Sequence, residues 1–276
     1  MEGTPVELAR GFAEAADGTP LRYAVHGMQG DNDDRPLVVL NHGAGGNGAV
    51  WFQQVPALVA WFDVLTWDSR GFGRTSVGSQ PLSPELAAAD LWTLVDHIGA
   101  TGAVHLVGQS MGGWTVTAAA LAAPERVRSV VWCDTIGGLW TERLRVAFTQ
   151  VVSQPEPLGR PDHLARHPAL WDGTGDRDPA LGLLYRELGA MADPPMAQVA
   201  TALAGYQAGI DQVRDLGRPM LVIAGEHDGL FPPSELADLA RLLGAAWVEI
   251  PEAGHSPYFE QPAAFNRALL GFLAGA

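Results

Sequence analysis

The chain has 276 residues, of which 47% are hydrophobic and 17% are charged. This composition excludes a disordered polypeptide, and the length suits one large domain or a domain with a sizeable insertion. The 17 basic and 31 acidic residues give a formal net charge of −14, and a field of this sign repels nucleic-acid phosphates and anionic membrane surfaces. We therefore expect neither nucleic acid nor a membrane as a partner. No stretch of the sequence is apolar for long enough to cross a bilayer.

The single cysteine, Cys133, cannot form an internal disulfide. This cysteine usage suits a reducing compartment, and the acidic N-terminal segment lacks the apolar centre of a signal peptide. We therefore expect a cytoplasmic protein, as a monomer or homodimer, whose partner is a small-molecule substrate. Because Cys133 lies within an apolar run, it is predicted to be a buried structural thiol.

Short apolar runs alternate along the chain with segments of helical periodicity, and a hairpin is predicted first. Its strands cover residues 12–16 and 21–26, on either side of a turn at Asp17-Gly18. Further strands are predicted at residues 37–41, 64–67, 104–107, 127–133, 220–224 and 247–250. Helices are predicted at residues 50–61, 83–98, 111–123, 233–243 and 259–273, the second with Ser83 as N-cap. The alternation predicts an α/β fold with a mostly parallel, twisted sheet and helices on both faces.

Residues 135–217 interrupt this alternation. The stretch has no convincing strand and holds several prolines among short amphipathic pieces. Long insertions of this kind usually serve function. We therefore expect a core of residues 1–134 and 218–276 and a helical cap, or lid, of residues 135–217.

The sequence Gly108-Gln109-Ser110-Met111-Gly112 lies between a predicted strand and a predicted helix, which is the setting of a nucleophile elbow. Glycines are needed on both sides of such a sharp turn because side chains there would clash with neighbouring strands. The turn would hold Ser110 in strained backbone geometry with its hydroxyl exposed above the sheet. The following helix would point its positive end at the reaction centre. Ser110 is therefore the candidate nucleophile.

A serine hydroxyl needs a base, and His255 lies in a loop after the last predicted strand, at the edge where parallel sheets place ligands. The imidazole in turn needs an acid that fixes its tautomer and stabilises its charged form. Asp228 follows the strand at 220–224, and the order Ser110, Asp228, His255 is typical of this architecture. Asp134 follows a strand that ends at the same edge, and it stays open as an alternative acid.

Acyl transfer also needs N–H donors for the developing oxyanion. We expect one donor from Met111 and the second from Ala44, which lies in the glycine-rich loop after the first parallel strand. Residues 43–48 of this loop also match the G-x-G-x-x-G pattern of dinucleotide-binding proteins, with Asp63 about 20 residues further on. A dinucleotide site needs its acid at the end of the second strand, whereas Asp63 begins that strand and Asp68 ends it. This alternative also leaves the serine turn unexplained.

Five segments, in order along the chain, resemble the α/β-hydrolase superfamily. They cover residues 42–46, 67–76, 108–113, 225–228 and 254–261. The resemblance implies the α/β-hydrolase fold, with Ser110 as nucleophile, Asp228 as acid, His255 as base, and Ala44 and Met111 as oxyanion donors. Haloalkane dehalogenases and epoxide hydrolases of this fold use aspartate at the elbow, so Ser110 argues against both. The cap resembles the helical lid of the superfamily's small-molecule esterases, lactonases and carbon–carbon bond hydrolases.

These features predict a cofactor-independent serine hydrolase that cleaves a small to medium, largely apolar carboxylic ester or lactone through an acyl-enzyme. The candidate substrate contacts are four aromatic residues, Trp51, Trp114, Trp140 and Phe148. No metal site is expected, since residues 172–178 lack the glycine that a calcium loop needs at its sharp turn. A carbon–carbon bond hydrolase or thioesterase would use the same catalytic groups. A non-catalytic small-molecule receptor on the same scaffold and a dinucleotide-binding oxidoreductase are the alternatives from other classes.

Overall fold

The computed structural model describes residues 5–28, 35–152, 167–191 and 195–276, and within these ranges the strands form one eight-stranded sheet. The strands are β1 (Pro5–Glu14), β2 (Pro20–Met28), β3 (Leu37–Asn41), β4 (Asp63–Trp67), β5 (Val104–Gln109), β6 (Val127–Cys133), β7 (Met220–Gly225) and β8 (Ala246–Ile250). Their order across the sheet is β1-β2-β4-β3-β5-β6-β7-β8. The pairs β1–β2 and β2–β4 are antiparallel, and the other pairs are parallel. The predicted mostly parallel sheet is confirmed.

Helices cover both faces of the sheet. They are α1 (Val55–Leu58), α2 (Pro84–His97), α3 (Met111–Ala122), α4 (Glu142–Val152), α5 (Asp172–Arg177), α6 (Pro179–Gly189), α7 (Met196–Gly205), α8 (Ile210–Arg214), α9 (Pro233–Leu243), α10 (Pro257–Glu260) and α11 (Pro262–Leu273). The apolar cluster on one face includes residues of α2, α3 and α9, and the cluster on the other includes residues of α1, α10 and α11. None of the helices in the described ranges is long and apolar enough to cross a membrane.

The central strands are uninterrupted apolar runs in the sequence because both faces of the sheet are buried there. In β3, Val39 packs into one cluster while Val38 and Leu40 pack into the other, because successive side chains of a strand point to opposite faces. Cys133 at the end of β6 is fully buried, and burial raises the pKa of its thiol well above the ordinary value. Its predicted structural role agrees with this position.

Two predicted helices are divided in the structure. In place of the helix predicted at residues 50–61, the chain forms a 3-10 turn at Gly48–Trp51, which begins two residues earlier, and then the single turn of α1. The segment 259–273 is split between α10 and α11 at Gln261, which has φ −131° and ψ 57°. Pro262 follows, and a proline disfavours helical geometry in the residue before it. The predicted N-cap is confirmed, since Ser83 Oγ accepts the N–H of Leu86 at 3.1 Å.

Five helices, α4 to α8, lie between the neighbouring parallel strands β6 and β7. They fall in the segment predicted as the cap. Residues 153–166 and 192–194 of that segment lie outside the described ranges. Residues 1–4 and 29–34 of the predicted core also lie outside them. Within the described part of this segment, helices and connecting loops make up the chain. The helical character predicted for it therefore agrees with the structure.

A buried arginine ties the turn after β4 to two other parts of the core. Arg70 Nε lies 2.6 Å from Asp90 Oδ2, and a second bond joins Arg70 Nη2 to Asp90 Oδ1 at 2.9 Å. Asp17 in the hairpin turn accepts from the same guanidinium at 2.8 and 3.0 Å, and this contact holds the pKa of Asp17 well below its usual value. The Arg70 and Asp90 side chains are only 4% and 3% exposed. Arg70 thus joins the hairpin, the β4 turn and α2.

Replacing Arg70 by glutamine leaves the Asp90 carboxyl buried without its charged partner. We expect Arg70→Gln to lower the free energy of unfolding by about 3–5 kcal/mol. Urea denaturation followed by circular dichroism measures this change. Arg241→Gln is the matched control, because Arg241 pairs with Asp238 on the surface with 73% of its side chain exposed, and its loss costs less than about 1 kcal/mol. Equal losses in the two variants would contradict the role given to the buried pair.

Candidate active site

The turn at Ser110 joins β5 directly to α3 and has the sharp geometry that the sequence predicts. Ser110 has φ 48° and ψ −119°, a positive φ that residues other than glycine rarely adopt. Its N–H donates to the carbonyl of Cys133 at 3.0 Å. Its own carbonyl accepts from the Gly113 N–H at 2.8 Å and from Thr135 Oγ1 at 2.7 Å. Neighbouring β6 and the chain that follows it therefore hold the strained turn in place.

Glycine is required on both sides of Ser110 because other backbone passes too close for a side chain. A Cβ at Gly108 would collide with the carbonyl of Gly112, and a Cβ at Gly112 would collide with the carbonyl of Asn41 in β3. The glycine-rich loop that follows β3 is equally close, since a Cβ on Gly43 would lie 2.9 Å from the Ser110 Cβ. The serine turn and the glycine-rich loop therefore pack directly against each other.

Ser110, His255 and Asp228 meet at the carboxyl edge of the sheet in one chain of hydrogen bonds. His255 Nε2 lies 2.8 Å from Ser110 Oγ, and His255 Nδ1 lies 3.0 Å from Asp228 Oδ2. Asp228 Oδ1 accepts the backbone N–H groups of Leu230 and Phe231 at 2.8 and 3.1 Å. A proton on Nδ1, facing the carboxylate, leaves Nε2 able to accept the serine proton. This arrangement can turn the hydroxyl into a nucleophile.

Two core side chains hold the backbone of the His255 loop. Gln109 Nε2 donates to the carbonyl of His255 at 2.8 Å. Glu260 Oε1 accepts the N–H groups of Gly254 and Ser256 at 2.8 and 3.3 Å. The residues immediately before and after His255 are therefore anchored to one carboxylate.

The other oxygen of Glu260 reaches α5 of the segment between β6 and β7. Glu260 Oε2 accepts the Trp171 N–H at 2.7 Å and the Thr174 hydroxyl at 2.6 Å. Burial raises the pKa of Glu260, and its four donors act in the opposite direction. Sequence reasoning missed this residue, although a glutamate at the end of the otherwise uncharged Pro257-Tyr258-Phe259 run was a detectable signal. One buried carboxylate thus connects the His255 loop to the predicted cap.

The two predicted oxyanion donors lie together beside the serine. Ala44 and Met111 belong to one apolar cluster with Phe72 and Val199. Met111 is the first residue of α3, so its N–H has no partner within the helix. Among the described residues, no protein group accepts a hydrogen bond from the N–H of Ala44 or of Met111. Both groups are therefore available to a ligand at Ser110.

Three of the four predicted aromatic contacts form a cluster that reaches His255. The ring centroids of Trp114 and Trp140 are 6.2 Å apart, and those of Trp140 and Phe148 are 5.1 Å apart. Phe231 completes the cluster at 6.4 Å from Phe148 and 5.8 Å from His255. Sequence reasoning did not single out Phe231, although it follows the candidate acid by three positions. An apolar aromatic wall therefore runs from His255 at the edge of the sheet to Phe148 in α4.

Trp51 lies elsewhere. Its side chain has 0% exposure, and its ring packs 4.6 Å from the ring of Tyr258 in the core. This position favours core packing over the predicted substrate contact. The sequence could not separate the two because Trp51 follows the glycine-rich loop closely but turns into the sheet face covered by α1 and α11.

A small apolar cavity of about 50 Å³ lies beside Met111. Its apolar walls include Phe72, Leu82, Met111, Trp114, Val199 and Leu203. Val199 and Leu203 belong to α7, so the segment between β6 and β7 closes this cavity over the core. The cavity can accept a small apolar group next to Met111.

Polar contacts also fasten the glycine-rich loop. Asp68 at the end of β4 accepts the N–H groups of Gly48 and Arg74, each at 2.8 Å. His42 Nε2 accepts the N–H of Ser69 at 3.0 Å, and burial lowers the pKa of His42. Both carboxylate oxygens of Asp68 are therefore used to hold loops together. This use disfavours a dinucleotide site, where the acid would have to face a ribose.

Asp134, the alternative acid, reaches the same edge of the sheet. Its carboxyl, that of Asp228 and the His255 ring place one atom each within 4.8 Å of one another. Asp134 Oδ1 accepts the N–H of Gly225 at 2.8 Å, whereas Asp228 makes the hydrogen bond to His255. The geometry therefore favours Asp228 as the direct partner of the histidine.

The sequence profile of the alpha/beta hydrolase fold family matches residues 36–262. The chain belongs to the α/β-hydrolase family. A candidate non-heme bromoperoxidase from Mycobacterium tuberculosis is 31% identical over 257 residues, covering 88% of this chain and 96% of the relative. A thermophilic esterase from Thermogutta terrifontis superposes with a TM-score of 0.76 at 27% identity, over 98% of each chain. The enol-lactonase from Burkholderia xenovorans superposes with a TM-score of 0.77 at 25% identity, over 95% of this chain and 99% of its own.

Glutamine in place of Glu260 would turn an NH2 group towards backbone N–H groups that need an acceptor. We expect Glu260→Gln to lower the free energy of unfolding of this α/β-hydrolase by about 2–3 kcal/mol, measured by urea denaturation. Glu252→Gln in the same loop is the control, because the Glu252 side chain is 60% exposed and pairs with Arg177 on the surface. The control loses less than about 1 kcal/mol. A Glu260→Gln variant as stable as the control would contradict the anchoring role.

Proposed function

We propose that the chain is a cofactor-independent serine hydrolase that cleaves a small to medium, largely apolar carboxylic ester or lactone. The observation that carries this proposal is the chain of hydrogen bonds from Ser110 Oγ through His255 to Asp228, at 2.8 and 3.0 Å. The esterase and enol-lactonase among its structural relatives support the same class of reaction. The lone, buried Cys133 is compatible with the proposed cytoplasmic location.

In the proposed mechanism, Ser110 Oγ attacks the substrate carbonyl carbon while His255 Nε2 takes the hydroxyl proton. Asp228 stabilises the imidazolium that forms. The N–H groups of Ala44 and Met111 bind the negative oxygen of the tetrahedral intermediate, helped by the positive end of α3. His255 then protonates the leaving alcohol, and an acyl-enzyme remains on Ser110. Water then attacks the acyl carbon while His255 takes its proton, and the bond to Ser110 Oγ breaks as His255 returns that proton to the serine and the carboxylic acid leaves.

We assign the substrate's apolar part to the region under the cap, residues 135–217. The aromatic wall of Trp114, Trp140 and Phe148 and the cavity lined by Met111 and Trp114 offer a continuous apolar surface beside the start of α3. A thioesterase or a carbon–carbon bond hydrolase would use the same catalytic groups. A side-by-side panel of esters, lactones, thioesters and vinylogous diketones ranks these substrate classes directly by kcat/KM.

Replacing Ser110 by alanine removes the nucleophile but leaves the fold. We expect Ser110→Ala to lower kcat on the best ester of the panel by at least about a thousandfold, with an unchanged circular dichroism spectrum. A fluorophosphonate probe should label the wild-type protein at Ser110 and fail to label the variant. Ser79→Ala, at an exposed serine, is the control and should behave as wild type. Absence of label from the wild-type protein would favour the receptor over the enzyme.

If the acyl group of the substrate enters the cavity beside Met111, the side chain at position 199 limits the acyl length that fits. Val199→Phe fills the space under α7, so we expect kcat/KM for a longer acyl ester to fall by roughly tenfold relative to a short one. Val146→Phe is the control, because Val146 is 50% exposed on α4. If both variants keep the wild-type ratio of long to short substrates, the acyl group does not enter this cavity.

A further inference from the structure

Two carboxyl groups lie buried side by side at the candidate site. Asp134 follows β6 and has 0% exposure, and Asp228 follows the neighbouring parallel strand β7 and has 6% exposure. One oxygen from each carboxyl and one ring nitrogen of His255 lie within 4.8 Å of one another. Two negative charges this close and this far from water cannot both persist. One of the carboxyls therefore has to be neutral.

The hydrogen-bond partners decide which carboxyl carries the charge. Asp228 receives three bonds, from His255 Nδ1 and from the N–H groups of Leu230 and Phe231, at 3.0, 2.8 and 3.1 Å. Asp134 receives one, from Gly225 N–H to Oδ1 at 2.8 Å. Its Oδ2 is buried and has no donor among the described residues. Donors stabilise a carboxylate, so the negative charge belongs on Asp228 and the proton belongs on Asp134.

We propose that Asp134 is a protonated carboxylic acid whose Oδ2–H donates a hydrogen bond to the Asp228 carboxylate, so that Asp134 is a positioning residue for the acid of the site. This assignment explains the otherwise unpaired Oδ2, because a proton there converts an orphaned acceptor into a donor. It rests on the proposed function only for the role given to Asp228. The protonation of Asp134 itself does not depend on turnover.

Within the part of the chain that the structure describes, His255 is the positively chargeable group near Asp134. The titratable groups facing it are Asp228, Glu260, His255, Cys133, Tyr185 and Tyr258. Burial raises the pKa of Asp134 well above its ordinary value, and the charge of Asp228 raises it further. His255 already directs Nδ1 at Asp228 and Nε2 at Ser110. The neutral form of Asp134 is thus the one that fits.

The backbone delivers this carboxyl to a fixed place. Asp134 has φ 48°, and its N–H donates to the carbonyl of Ile223 in β7 at 2.9 Å. Aspartate and asparagine tolerate a positive φ better than most residues do. A second donor to the Asp228 carboxylate, beside the histidine contact, limits the rotation of that carboxylate and so keeps Oδ2 directed at the histidine. Asparagine can supply the same donor from the same backbone, and alanine cannot.

Infrared spectroscopy tests the protonation directly. At a mildly alkaline pH the exposed carboxyls are ionised, so we expect a carboxylic-acid C=O band in the wild-type protein that shifts in D2O and is lost in Asp134→Asn. Asp228→Asn removes the neighbouring charge, so the pH at which the Asp134 band disappears should fall. A wild-type spectrum without an Asp134-dependent band would overturn the proposal, whether or not the protein turns over an ester. A band that titrates identically in Asp228→Asn would overturn the contact between the two carboxyls.

Turnover tests the positioning role. We expect Asp134→Asn to keep kcat within about threefold of wild type, because the amide NH2 still donates to Asp228. Asp134→Ala, which has no donor, should lower kcat by roughly tenfold to a hundredfold. If Asp134→Asn loses as much activity as Asp134→Ala, a negative charge at this position is what matters, and the proposal is wrong. If the alanine variant does not fold, the infrared comparison of wild type with Asp134→Asn still decides the question.

Discussion

The parallel pairing of β5, β6 and β7 is the constraint on which the candidate site depends. Because parallel strands all end at the same edge, Ser110 after β5 and Asp228 after β7 lie at one rim, with β6 between the two strands. The loop after β8 then brings His255 to the same rim, 2.8 Å from the serine. A parallel connection needs a long crossover, and the described part of the crossover between β6 and β7 carries the five helices α4 to α8. The same topology thus supplies both the edge that holds the candidate site and the helical segment that contacts it.

Much of this could be predicted because burial on both faces leaves a plain sequence signal. Solid apolar runs indicated the parallel strands, and the Gly-x-Ser-x-Gly pattern indicated the turn at Ser110. Helix boundaries were harder to predict. The apolar periodicity of residues 259–273 continues across Pro262, although the helix is divided there. Trp51 could not be placed because its orientation depends on packing against Tyr258, about two hundred residues away. The same holds for Glu260, whose partners come from two distant segments.

Three carboxyl groups lie buried around His255, and each is accommodated by different physics. Asp228 is surrounded by donors and faces the imidazole, so it can keep its charge. Glu260 receives four hydrogen bonds from backbone and hydroxyl groups. Asp134 has one N–H donor among the described residues, so protonation of Oδ2, which would turn it into a donor, is the route that this environment offers. The chain's net charge of −14 also disfavours a further ionised carboxyl at the site.

Glu260 also couples the position of α5 to the position of the histidine. Its Oε2 accepts hydrogen bonds from Trp171 and Thr174 at the start of α5, while its Oε1 accepts from the backbone on both sides of His255. Movement of α5 away from the core would remove two of these four bonds and expose a buried carboxylate. The aromatic wall adds a second connection, because Phe231 contacts both Phe148 of α4 and His255. The helices between β6 and β7 and the His255 loop therefore stabilise each other through contacts that no single segment of the sequence contains.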